Sequence, residues 1–252
     1  MTAFVLLHGF AQTPASWDAA ARQLQAAGHR TYVPDLYRRS DLSLESLCAY
    51  VAEVAGKVAQ ADGAPVLVGY SMGGRLAAET VVRHPDLPLA GLVLESAGLG
   101  PADEAARAAL VERNGEWAQR LRREGVPSFM DWWKTLPLFA SQQALPAKTR
   151  AAVRTEREAH TADELARSLE AWGAQHQASE ADTLSALRVL QERGIPALYL
   201  AGALDEKYAA VAARVRAAGL PAMLVPDAGH NVHLEAPAPF LEALDAPIAD
   251  LL

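Results

Sequence analysis

The stretch Val66-Leu67-Val68-Gly69-Tyr70-Ser71-Met72-Gly73-Gly74-Arg75 is an apolar run that breaks into Gly-x-Ser-x-Gly and then into a helical pattern. A short continuous apolar run suits a strand buried on both faces of a parallel sheet. A sharp turn from such a strand into a helix would stand the Ser71 hydroxyl at the sheet edge, with Gly69 and Gly73 as the small residues that permit the turn. The first N–H groups of the new helix lack intrahelical acceptors, which places the Met72 N–H to donate to a developing oxyanion. The motif is short enough to arise as an ordinary Gly/Ser turn, so its weight rests on its surroundings.

Upstream, Phe4-Val5-Leu6-Leu7 is a second buried-strand run, ended by His8-Gly9-Phe10. A loop at that strand end can turn the Phe10 N–H toward Ser71 as a second oxyanion donor. His8 reads as a structural turn residue rather than a proton carrier. Ser16 can cap a helix over residues 16–27, ended by Gly28, and 31–34 reads as the next strand. Helices are expected over 44–61 and 72–84, and strands over 65–69 and 89–94, the last ending at Glu95-Ser96. Strands alternating with helices predict an α/β fold, a mostly parallel sheet flanked by helices, with ligands at the strands' C-terminal ends.

From Gly98 to about residue 186 only helical patterns occur, expected over 102–123, 128–135, 147–159 and 162–172, with Pro127, Pro137 and Pro146 as breaks. Strands resume at 197–201, before Gly202-Ala203-Leu204-Asp205, and at 223–225, before Asp227-Ala228-Gly229-His230. A closing helix is expected from about residue 238. The implied organisation is a core in two parts, 1–97 and 187–252, with a helical lid, 98–186, over the strand ends.

Ser71, Asp205 and His230 thus each follow a predicted strand, in the chain order Ser, Asp, His. Serine is a poor nucleophile or base until a histidine takes its proton, and an acidic residue fixes that imidazole and stabilises its cation. His233 is a rival for the histidine; Glu95 and Asp227 are rivals for the acid.

Composition narrows the class. The chain has 252 residues, 51% hydrophobic and 21% charged, enough for a sizeable core, and its net charge of −7 disfavours nucleic acid or an anionic membrane as partner. Cys48, the single cysteine, allows no internal disulfide and reads as a small core residue. No segment suits a bilayer span and the N-terminus has no signal-like run, so a cytoplasmic location is expected, as a monomer or weak homo-oligomer.

The chain resembles the α/β-hydrolase superfamily throughout. More narrowly it is similar to the 2-succinyl-6-hydroxy-2,4-cyclohexadiene-1-carboxylate synthase family of menaquinone biosynthesis. That likeness is carried by Leu7-His8-Gly9-Phe10, the Gly69 to Arg75 segment, Trp117-Ala118-Gln119-Arg120, Trp132-Trp133, Leu136-Pro137-Leu138-Phe139, the Gly202 to Lys207 segment, and Ala228-Gly229-His230-Asn231-Val232-His233. The resemblance implies a lyase that removes a proton from a polyanionic cyclohexene substrate and eliminates pyruvate, with no metal or organic cofactor. It further implies that Ser71 is the base, that Phe10 and Met72 supply the oxyanion N–H groups, and that Arg75 binds substrate. Arg113 and Arg157 match the family's other carboxylate-binding arginines, although other lid arginines lie nearby. Tyr70, Trp132 and Phe139 could line the site or pack the lid.

Two features depart from the family pattern. After Asp35 the chain reads Leu36-Tyr37-Arg38-Arg39-Ser40 where Pro-Gly-His-Gly is usual, and it opens directly on the strand before His8. The first predicts a differently shaped loop beside the oxyanion hole, the second a sheet shorter at one edge. Competing readings are a carboxylesterase or C–C hydrolase using the same triad, and a non-catalytic binding protein of the same fold.

Overall fold

A computed structural model describes residues 1–245 of the chain. Six parallel strands, β1 (Ala3–Leu7), β2 (Arg30–Tyr32), β3 (Val66–Tyr70), β4 (Gly91–Glu95), β5 (Ala197–Gly202) and β6 (Ala222–Val225), form one sheet in the order β2-β1-β3-β4-β5-β6. Side chains alternate across it: Val5, Leu7 and Leu67 enter one apolar cluster, and Phe4, Leu6, Val66 and Val68 enter another on the opposite face. Both faces are therefore covered, which is why these strands read as unbroken apolar runs rather than alternating ones.

Helices α1 (Asp18–Ala26), α2 (Leu44–Asp62) and α3 (Met72–Arg83) belong to the first half of the chain. Between β4 and β5 the chain is wholly helical, through α4 (Glu104–Trp133), α5 (Ala147–Glu158), α6 (Ala162–Ala171) and α7 (Glu180–Glu192) with short 3-10 turns between them. Helices α8 (Glu206–Ala217), α9 (Val232–Glu235) and α10 (Pro237–Asp245) complete the described chain. Cys48 is fully buried, and burial pushes its thiol up to about 12, as fits a core residue.

Several boundaries differ from the sequence reading. The first helix opens as a 3-10 turn, Pro14–Trp17, capped by the Thr13 side chain, while the Ser16 hydroxyl donates to the Thr13 carbonyl. Pairing of β2 ends at Tyr32, short of Pro34, which has no N–H for a ladder. The break in α4 comes at Gly125, with φ 78° and ψ 165°, and Pro127 sits harmlessly in the first turn of the second leg. Residue 186, where the lid was expected to end, lies inside α7, which packs on α3 and β5. No helix among the described residues is long and apolar enough to cross a membrane.

Candidate active site

The register of β3 between β1 and β4 aligns Leu7 with Gly69 and Tyr70 with Glu95, so three strand ends open at one level. The elbow is a real turn. Ser71 has φ 52° and ψ −107°, a conformation disfavoured for a residue with a side chain, held by its N–H donating to the Glu95 carbonyl at 2.8 Å. A Cβ on Gly73 would lie 2.2 Å from the Leu7 carbonyl oxygen, so only glycine lets α3 pack this tightly on β1.

From that turn the Ser71 hydroxyl lies 3.0 Å from His230 Nε2, and His230 Nδ1 lies 2.8 Å from Asp205 Oδ2. An ionised carboxylate only accepts, which places the imidazole proton on Nδ1 and leaves Nε2 to accept from Ser71. Asp205 also caps α8, its Oδ1 accepting from the Tyr208 N–H, so helix capping fixes the acid's position. The two loops meet at Gly202, where a Cβ would lie 2.1 Å from the Gly229 carbonyl oxygen. His230 and Asp205 are 1% and 4% exposed. Burial pulls the imidazole below its ordinary pKa, with Asp205 opposing.

The rivals are placed elsewhere. His233 pairs with Glu95 at 2.7 Å in the interior, and Asp227 occupies a turn with φ 60°. His8 is fully buried; its Nδ1 donates to the Gly9 carbonyl at 3.0 Å and its Nε2 accepts from the Leu36 N–H at 3.1 Å. Burial lowers His8 to about 4, so it is a neutral strut. The atypical segment after Asp35 is the strut's counterpart: Leu36–Arg39 forms a 3-10 turn, and the Tyr37 hydroxyl accepts from the Ala11 N–H at 3.1 Å. Gly9 N–H donates to Gln12 Oε1 at 2.8 Å. The loop is thereby pinned on both sides of Phe10, which lines the cavity with Met72, the first residue of α3.

That cavity, of about 270 Å³, lies between the strand ends and the helices that follow β4. Ser71, His230, Tyr70, Arg75, Arg113, Arg157 and Phe139 line it. Trp132 does not. It is turned away under the Arg120 guanidinium, 4.4 Å from the ring centre, and its neighbour Trp133 faces the cavity instead. The signal lay in the apolar stripe Val126, Phe129, Met130, Trp133, whose helical spacing marks the inner face and omits Trp132. Gln12, Trp117, Lys207 and Tyr208 also line the cavity, though none of them was given a role at the site from the sequence.

Three of the lining groups are arginines that meet no carboxylate among the described residues. Arg75 donates to the Trp172 carbonyl at 3.0 Å. Arg113 donates to the Asn114 side-chain oxygen at 3.0 and 3.2 Å and lies over Trp117. Arg157, 6% exposed, lies over Phe139, and its Nε has no partner. Burial lowers all three, Arg75 to about 10, a sign of cations held out of water without compensating charge. Such a cluster fits an anionic ligand, and guanidinium forks suit carboxylates. Among the described residues no group of His, Cys, Asp and Glu has the makings of a metal site.

Comparisons with known proteins place the chain and its fold. A Bacillus subtilis (strain 168) protein named putative 2-succinyl-6-hydroxy-2,4-cyclohexadiene-1-carboxylate synthase is 32% identical over 251 residues, covering 94% of this chain and 87% of that one. The synthase of that name from Salmonella heidelberg (strain SL476) is 37% identical over 179 residues, covering 71% of this chain and 66% of the relative. Among solved structures, MenH from S. aureus superposes with a TM-score of 0.85 at 23% identity, over 99% of this chain and 94% of that one. A thermophilic esterase from Thermogutta terrifontis gives 0.75 at 23% identity, over 100% and 90%, so the fold alone does not separate a synthase from an esterase. The alpha/beta hydrolase family profile matches residues 4–243. On its fold, its Ser71, His230, Asp205 series and this match, the chain belongs to the alpha/beta hydrolase family.

Proposed function

We propose that the protein is a lyase that eliminates pyruvate from 2-succinyl-5-enolpyruvyl-6-hydroxy-3-cyclohexene-1-carboxylate, giving 2-succinyl-6-hydroxy-2,4-cyclohexadiene-1-carboxylate. The observation that carries this reading is the set of three arginines around Ser71 that meet no carboxylate among the described residues. An ester hydrolase for neutral substrates gains nothing from one buried and two half-buried cations; a substrate with several carboxylates needs them. The names of the relatives point the same way.

In this reading Ser71 takes a ring-carbon proton as its own hydroxyl proton passes to His230 Nε2. The electron pair left on carbon moves through the ring, the C–O bond to the enolpyruvyl group breaks, and pyruvate leaves as its enolate, which takes up the proton held by His230 and so restores the neutral imidazole. Asp205 steadies the imidazolium, and the N–H groups of Phe10 and Met72 stabilise the enolate-like charge. Arg75, Arg113 and Arg157 hold the carboxylates, Tyr70, Trp133 and Phe139 flank the ring, and the helices between β4 and β5 act as the lid. No acyl-enzyme forms.

The same triad could attack an ester, so the test sets the two substrates side by side. Arg75→Ala is expected to reduce pyruvate elimination at least about tenfold while changing turnover of a neutral aryl ester about twofold or less. Equal losses on both would remove the arginine's role in carboxylate binding and with it the basis of the lyase reading.

A further inference from the structure

Three residues past His230 lies a second acid–histidine pair that the mechanism above does not use. Glu95 Oε2 accepts from His233 Nδ1 at 2.7 Å and Glu95 Oε1 from the His233 backbone N–H at 3.0 Å; the two residues are 0% and 4% exposed. The Glu95 carbonyl holds the Ser71 N–H, so one residue grips both the elbow and the loop that carries the catalytic histidine. Trp17 stacks on the His233 ring with centroids 3.9 Å apart, and His233 Nε2 is buried with no partner. A proton on Nε2 would be a buried donor with no acceptor in reach among the described residues, so the ring proton sits on Nδ1, facing the carboxylate. The pair is thus one Nδ1–H held against a carboxylate, and Glu95 adds to the field that favours charge on His230. Glu235 completes the grip from the backbone side, accepting from the N–H groups of Gly229 and Asn231 at 2.8 and 3.1 Å.

We propose that Glu95 and His233 are positioning residues for the reaction: the pair ties the His230 loop to the Ser71 turn and keeps a second negative charge, beyond Asp205, beside the catalytic imidazole. The proposal rests on the reading of His230 as the group that takes the Ser71 proton. The groups facing His230 are Asp205, Lys207 and Tyr208 from α8, Tyr70 and Ser71 from the elbow, and Glu95 from β4. Tyr70 lies between the two histidines, 5.2 Å from each, and also senses Arg157 and Glu235. Asp205 and Glu95 favour the charged ring and Lys207 opposes it.

The decisive measurement is an NMR titration of the His230 ring in the full-length, substrate-free protein, with its resonance identified by its loss in His230→Ala. In Glu95→Gln the His230 midpoint is expected to fall by about one pH unit, because a favourable charge has gone. His233→Asn, whose amide can still donate to Glu95, should leave the midpoint within about 0.2 unit of wild type. His233→Leu should move it, because the Glu95 carboxylate loses the Nδ1–H bond that fixes its place. An unchanged midpoint in folded Glu95→Gln overturns the proposal. If that variant does not fold, identical His230 midpoints in His233→Asn and His233→Leu overturn it instead. The titration needs no substrate, so a failed lyase assay and a failed charge role give separate results. With a working substrate, the acid limb of kcat/KM should move with the NMR midpoint.

Discussion

At the scale of the residue, the proposed mechanism makes Ser71 a base only when His230 takes its proton, and the 3.0 Å contact between them is what that transfer requires. Ser71→Ala is expected to lower kcat for pyruvate elimination about a thousandfold with KM within about twofold, read from saturation curves. His230 must be neutral to accept a proton, and burial holds its pKa below the ordinary 6.5. The acid limb of kcat/KM should therefore lie below pH 6.5; a limb above that value would contradict the neutral, buried imidazole. The cavity wall gives a third prediction. Trp133→Ala is expected to raise KM about tenfold, whereas Trp132→Ala, altering a side chain outside the cavity, should leave it within about twofold. Sequence alone named Trp132 because two adjacent tryptophans satisfy the same motif. Only the helical stripe through Phe129 separates them, and it was obscured by the uncertain helix break around Pro127.

At the scale of the element, the strut from His8 to the Leu36–Arg39 turn holds the loop that carries Phe10. The unfolded chain binds a proton at His8 below about pH 6.5. The folded chain does not until about pH 4. Stability from this group is thus complete above pH 6.5 and falls as pH drops toward 4. At about 1.4 kcal/mol per pH unit the gap amounts to about 3 kcal/mol at most. Urea unfolding at pH 7 and pH 4.5 should show a smaller pH-dependent loss in His8→Gln than in wild type; equal losses would place the titration elsewhere. Gly125 offers a backbone test: its φ is 78° and a Cβ there meets nothing within 4 Å, so Gly125→Ala should cost about 1 kcal/mol through backbone strain alone. Most elements were legible because buried parallel strands are short apolar runs closed by Gly, Asp or His. The bend in α4 was misplaced because proline is the commoner breaker, yet it tolerates a first helical turn, where its missing N–H is not needed. Helix α9, only Val232–Glu235, is too short for periodicity to reveal.

At the scale of the whole molecule, the order of six parallel strands brings residues 71, 205 and 230 to one edge and sets the arginines of α3, α4 and α5 around them. That Ser71, Asp205 and His230 converge was readable because each follows its own strand. The Glu95 and His233 pair was not, since in sequence both looked like substitutes for triad members, and only the fold, which sets α9 against the end of β4, shows them bonded to one another. Which lid arginines converge was equally hidden: Arg113 and Arg157 reach the cavity, while Arg122 and Arg154 are tied to carboxylates at the surface. The central claim is that this assembly eliminates pyruvate. Incubating the purified protein with 2-succinyl-5-enolpyruvyl-6-hydroxy-3-cyclohexene-1-carboxylate and following pyruvate tests it most directly. Release well above the spontaneous rate, falling toward that rate in Ser71→Ala, is the predicted result; wild-type release no faster than the spontaneous reaction would contradict it.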